Sequence, residues 1–226
     1  MAKTRADANE GIKQRWKHRP ERVWLRQIVF MIHFWVGTLV GAYIFMMSVT
    51  GSVIVFRGEL SASGLSVERV VAFHKNLLAG GTGRLVNGIG AVSLVLLCLT
   101  GAVIWWPGLI HWRRSLTVEW RASFARVNWD IHSAFGFWSF LFVLVWGLSG
   151  AYLTYPNQFG AFFFVDPAGP IPEWLADLHF GRFSPFTKIV WTVVGLVPSV
   201  LAFTGVFICC RRVMVHKPSN PKHFLP

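Results

Sequence analysis

Four histidines in the sequence are each followed, at a repeating interval, by a hydroxyl residue and a glycine. His33 precedes Thr50-Gly51 by the same seventeen residues that separate His132 from Ser149-Gly150. His74 precedes Thr100-Gly101, and His179 precedes Thr204-Gly205, at spacings that differ by one residue. A neutral imidazole is a ligand for zinc, copper, nickel and iron. Zinc takes three or four protein ligands, and no carboxylate or thiol stands out to complete such a set around these histidines. Haem iron needs only two axial imidazoles, because the porphyrin supplies its other four nitrogens. The three cysteines, Cys98, Cys209 and Cys210, form no Cys-x-x-Cys-His, which excludes covalent c-type attachment. The expectation is therefore haem b, two per chain. The competing reading of any single histidine is a hydrogen bond to a neighbouring helix; four in repeat-related positions weigh against it.

The elements that must position these residues are apolar runs of membrane length. A chain with 54% hydrophobic and 14% charged residues and a mean hydropathy of +0.48 does not have the composition of a water-soluble domain. Four runs, 25–56, 85–106, 131–155 and 186–210, are each long enough to cross about 30 Å of hydrocarbon. The expected fold is all-α, a polytopic four-transmembrane-helix bundle over residues 23–212, between a basic tail at 1–22 and a second tail at 213–226. Trp24, Trp105, Trp106, Trp112, Trp129, Trp174 and Trp191 fall near run ends, where belt residues sit.

The matching intervals make the chain a duplicated hairpin whose halves enter the membrane from the same side, a parallel repeat with a pseudo-two-fold axis along the membrane normal. That axis pairs His33 with His132 near one face and His74 with His179 near the other. Seventeen helical residues rise about 25 Å, so Gly51 and its equivalent Gly150 reach the level of the second pair, while Gly101 and Gly205 reach the level of the first. Their missing side chains leave room for a flat macrocycle or allow close helix crossing. Arg84 and Arg182, each following a glycine downstream of an outer histidine, have the chemistry to bind haem propionates, as do Arg26 and Arg126 just before the inner pair. Each also fits a snorkelling role. Asp130 is expected to cap the third helix. His18, His111, His216 and His223 occur singly in basic segments and read as solvated.

Charge fixes the expected orientation. Sixteen of the 22 Lys and Arg residues lie in the first 26 residues, the connection between the second and third runs, and the tail. By the positive-inside rule these segments are cytoplasmic, with both termini inside and His74 and His179 outside. A net charge of +12 placed beside helix ends suits membrane lipid and gives no nucleic-acid face. No phosphate-binding loop, nucleotide fingerprint or catalytic carboxylate pair is present, and the first run is expected to be an anchor rather than a cleaved signal.

The stretches Ile32-His33-Phe34-Trp35-Val36-Gly37, Ser48-Val49-Thr50-Gly51, Leu99-Thr100-Gly101 with Trp105-Trp106-Pro107, Val127-Asn128-Trp129-Asp130-Ile131-His132 and Leu178-His179-Phe180-Gly181 resemble the PepSY-associated transmembrane family over residues 22–212. The resemblance implies membership of a group that includes iron-regulated inner-membrane proteins and ferric-siderophore reductases, with two b-type haems held by His33, His74, His132 and His179. It implies a bacterial inner-membrane location, a cytoplasmic or quinol electron donor, and a ferric chelate as periplasmic acceptor. Members usually carry PepSY domains in their external connections, whereas residues 57–71 are too few to house one. Electron transfer is accordingly the firmer expectation and siderophore reduction the weaker. The alternative is a non-catalytic membrane subunit or scaffold serving a partner complex.

Overall fold

The computed structural model describes residues 23–106, 112–164, 166 and 169–215. Helix α1 (Trp24–Ile54) is followed by the short α2 (Arg57–Ala62) and α3 (Glu68–Asn76), then by α4 (Gly80–Trp105). A 3₁₀ turn (Trp112–Leu116) precedes α5 (Phe124–Thr154). Helices α6 (Pro156–Phe163), α7 (Pro170–Phe180), α8 (Pro185–Gly195) and α9 (Val197–Val215) complete the chain, with no strand among the described residues. Proline at the first position of α6, α7 and α8 marks each start, where its missing N–H has no intrahelical partner to lose. Ser184 closes a capping box with Thr187 on α8.

Four segments are long and apolar enough to cross a membrane: α1, α4, α5 and the α8–α9 pair from Pro185 to Arg212. They form a ring in which α1 packs on α4 and α9, and α5 packs on the same two helices, so α1 and α5 lie diagonally opposite. Most buried positions of this ring are small or polar, among them Ser149, Ala134, Ser139, Thr204, Asn128 and Ser52, beside the larger Ile44, Val143 and Tyr152. Its outside is large and apolar, with Leu39, Leu141, Trp138 and Phe203 well exposed. Small residues inside and large apolar residues outside are the arrangement expected when lipid, not water, is the solvent. The chain is an all-α polytopic membrane protein.

Three boundaries differ from those expected. Helix α4 begins at Gly80, and α5 begins at Phe124, seven residues before the expected start. The early turn of α5 carries a charged pair: Arg126 Nε lies 2.9 Å from Asp130, one helical turn on. Asp130 therefore does not cap the helix, as expected from sequence; Ser123 occupies that position, and buried Asp130 ties Arg126 to the Glu119 backbone N–H. The fourth span is two helices rather than one. Pro198 supplies no N–H to the ladder, and next to it the Ser48 hydroxyl of α1 enters the backbone. Ser48 Oγ donates to Gly195 O at 2.5 Å and accepts from Ser199 N at 3.1 Å, while Ser199 N also bonds Leu196 O at 3.1 Å, three residues back, so Ser48 ties the interrupted ladder to α1.

The expected tail 1–22 lies outside the described residues, as do His18, His111, His216 and His223, while α9 continues to Val215.

Candidate functional site

Each of the four repeated histidines meets the hydroxyl of a repeated Thr-Gly or Ser-Gly pair. His33 Nδ1 lies 3.0 Å from Thr100 Oγ1, His132 Nδ1 2.9 Å from Thr204 Oγ1, His74 Nδ1 3.0 Å from Thr50 Oγ1, and His179 Nδ1 2.8 Å from Ser149 Oγ. A hydroxyl has one proton to give. Here it goes to the carbonyl four residues back: Met46, Leu96, Val145 and Val200 accept at 2.5 to 2.8 Å. The oxygen must then accept from the ring, which assigns the proton to Nδ1. The Thr100 and Thr204 hydroxyls have a second carbonyl within reach, Leu97 O and Leu201 O at 3.2 Å. Among the described residues no hydrogen bond reaches Nε2 of any of the four, so its lone pair is available to a metal.

The glycines explain how the rings fit. A Cβ on Gly51, Gly101 or Gly205 would stand 3.1, 3.3 or 3.2 Å from Cε1 of His74, His33 or His132, tight enough that the ring would have to give way, and one on Gly150 would touch Cε1 of His179 at 3.8 Å. The ring each glycine accommodates is thus first of all an imidazole, which packs edge-on against bare backbone. Thr or Ser fixes the imidazole's rotation and Gly its approach.

All four hydroxyl bonds stay within one repeat half, whereas the facing pairs join the halves. His33 on α1 and His132 on α5 come from the diagonal helices, with ring centroids 6.4 Å apart and planes at 85°. Two imidazoles on opposite sides of one metal, with metal–nitrogen bonds of about 2 Å, place their ring centres about 6 Å apart. His74 on α3 and His179 on α7 line one cleft with a cavity of about 140 Å³, together with Tyr43, Trp146, Trp191 and Gly195. Burial pushes His74 down to about 4; burial and the nearby His74 push His179 down to about 3. Both remain neutral at pH 7, the form that ligates metal. The donor chemistry of both pairs, and the ring spacing of His33 and His132, fit bis-imidazole ligation of haem iron. Among the described residues no cluster of three or more His, Cys, Asp or Glu could hold a bare metal ion.

The arginines are engaged with backbone and side chains. Arg84 Nε and Nη2 donate to Thr154 O at 2.8 and 2.6 Å, closing the C-terminus of α5. Arg26 does the same for Ile104 O at the end of α4. Arg182 lies 4.0 Å from Asp177 and 4.4 Å above the Phe180 ring. Trp191, read from sequence as a belt residue, instead lines the cleft, donates to Leu178 O at 2.6 Å and packs against Phe142 and Trp146. Sequence reasoning missed two contributors. Ser48 shapes the cleft wall by bonding both sides of the break in the fourth span. Asn87, buried, donates to His74 O at 2.7 Å and so anchors α3 on α4.

Comparison with known proteins agrees with this architecture. A curated relative, an uncharacterized protein of Pseudomonas aeruginosa, is 30% identical over 89 residues, covering 38% of this chain and 21% of that protein. The match thus spans about a fifth of the relative's length. No solved structure matches. The family described as the PepSY-associated TM region matches residues 62–173, which include His74, His132 and the Thr100-Gly101 and Ser149-Gly150 pairs. With that match, the four spans and the repeated sites, the chain belongs to the PepSY-associated transmembrane family.

Proposed function

We propose that the chain carries electrons across a bacterial inner membrane between two b-type haems, one held by His33 and His132 and the other by His74 and His179. The observation that carries this reading is the shared geometry of the four imidazoles, each with Nδ1 committed to a Thr or Ser oxygen and Nε2 free of protein partners among the described residues. Haem, when bound, would supply a one-electron iron couple. The chain's own residues do the rest. Thr50, Thr100, Ser149 and Thr204 hold the Nδ1 proton and the ring orientation, which strengthens Nε2 as a donor. Gly51, Gly101, Gly150 and Gly205 keep the ring edges against backbone. Arg84 and Arg182 would meet propionates with the N–H groups they do not already use.

The distribution of Lys and Arg supports cytoplasmic termini. Electrons from a cytoplasmic or quinol donor would then enter at the His33–His132 end and leave at the His74–His179 end, to an acceptor such as ferric iron in a chelate. The test is electron transfer through proteoliposomes with ferricyanide trapped inside and dithionite outside. The unaltered chain should reduce the trapped ferricyanide, and His33→Ala and His74→Ala should each stop it, because the two sites act in series. An undiminished rate in either variant would remove this function.

A further inference from the structure

The connection between the first two spans builds a second cavity, open to the surface and separate from the histidine cleft, with Arg57, Ser61, Glu68 and Lys75 exposed along it. About 500 Å³ lies between α2 and α3, lined by Arg57, Ser61, Glu68, Lys75 and Asn76. On α3, Glu68, Val71, Ala72 and Lys75 fall at i, i+3, i+4 and i+7, a single helix face. His74 points about a quarter-turn away, toward Thr50. One short helix therefore presents a histidine to the bundle and a cation to the cavity.

Of the nearby carboxylates, Glu59 is bound by Lys188 Nζ at 2.5 Å, while Glu68, the one acidic residue in the wall, accepts from Ser66 Oγ at 2.5 Å and keeps its negative charge. Among the described residues neither Arg57 nor Lys75 has an ion-pair or hydrogen-bond partner. The wall thus carries two cations without an ion-pair partner and one carboxylate, a net positive charge, around a space large enough for a small molecule. Ser61 and Asn76 add neutral hydrogen-bonding groups to the same wall.

We propose that this cavity binds an oxyanion, a carboxylate or phosphate group, between the Arg57 guanidinium and the Lys75 ammonium. The guanidinium offers two-point contact and the ammonium a point charge. The site lies within about one helix diameter, 10–12 Å, of the His74 ring, since α3 alone separates them. A membrane phospholipid headgroup and a soluble polycarboxylate share this chemistry.

The chain in phosphatidylcholine nanodiscs, titrated calorimetrically with citrate, tests the assignment. Saturable binding is expected, weakened about tenfold or more by the double variant Arg57→Gln/Lys75→Gln. It should be unchanged in Arg69→Gln, which removes an exposed α3 cation outside the cavity. Repeating the titration in discs containing phosphatidylglycerol separates the sources: retained citrate binding assigns a soluble oxyanion, and lost binding assigns a lipid headgroup. No citrate binding in phosphatidylcholine discs, or an equal loss in Arg69→Gln, would overturn the proposal. Because the heat of binding is read with or without haem, its outcome is independent of the electron-transfer reading.

Discussion

Ser149 Oγ accepts from His179 Nδ1 at 2.8 Å while donating to Val145 O at 2.5 Å, and Ser149 is fully buried. The serine belongs to the third span and the histidine to a short helix that lies outside it, thirty residues later. This contact sets the ring's tautomer, and three others reproduce it around the bundle. A hydroxyl whose only proton is already given to its own helix is a fixed acceptor. A lone threonine with a free rotor would leave the imidazole proton unassigned.

Replacing that acceptor should disable one site at a time. Thr100→Val and Thr204→Val are expected to loosen the His33–His132 site, and Thr50→Val the His74–His179 site. Each removes one buried hydrogen bond, about 1–3 kcal/mol once the unpaired ring N–H is counted. Thr→Ser at the same positions should be tolerated. The check is the optical spectrum of haem-loaded protein: Val variants should lose or broaden one of two components, and Ser variants should keep both.

How much of this could be read from the sequence depends on the range of the contact. The four histidines and four Thr-Gly or Ser-Gly pairs were visible because duplication printed them twice, and helix rise alone puts each glycine at a histidine's depth. The division of labour within the pair was not visible, because it depends on the i−4 carbonyl taking the hydroxyl proton. Ser48 was hidden for a related reason. A serine in an apolar run usually bonds its own helix, and only packing shows it inserted between Gly195 and Ser199 of another span. The early start of α5 was obscured by Arg126 and Asp130, whose charges look like loop until their pairing on one helix face is seen.

Ser48→Ala should loosen the join between α8 and α9. With the bridging oxygen gone, Gly195 O loses the Ser48 hydroxyl while Ser199 N keeps Leu196 O, and the wall that Gly195 and Pro198 give the cleft is held less firmly against α1. The expected result is reduced haem occupancy at the His74–His179 site with the His33–His132 site intact, and recovery in Ser48→Thr. Equal loss from both sites would show a general folding defect instead.

The turn after α3 holds Leu77 at φ 53° and Leu78 at φ 58°, a left-handed conformation that costs a non-glycine residue about 1–2 kcal/mol. Leu78 is 61% exposed and has little packing to lose. Leu78→Gly should therefore raise stability by roughly 0.5–1 kcal/mol after glycine's greater unfolded-state entropy is subtracted. Thermal unfolding in detergent checks this; a lower midpoint would show that the Leu78 side chain packs in a way its exposure does not reveal.

The Glu59–Lys188 pair ties α2 to α8 and gives a pH signature. The hydrogen bond from Lys188 holds the Glu59 carboxyl below its ordinary value of 4.5. Since the folded value is the lower one, the contribution is present above the unfolded value and is lost as pH falls through the folded one. The melting difference between the unaltered chain and Glu59→Gln should be seen at pH 7 and shrink to nothing in acid below the carboxylate range. A difference that persists in acid would assign the effect to something other than this ion pair.

The account rests on two histidine pairs that each join the two repeat halves. The direct measurement is a reduced-minus-oxidised spectrum with the haem-to-protein ratio, on the unaltered chain and on the four single His→Ala variants expressed with ample haem. The account predicts two acid-extractable haems per chain, and one in each variant. His33→Ala and His132→Ala should remove the same spectral component, and His74→Ala and His179→Ala the other. A colourless unaltered protein, or loss of one common component in His33→Ala and His74→Ala, would contradict it.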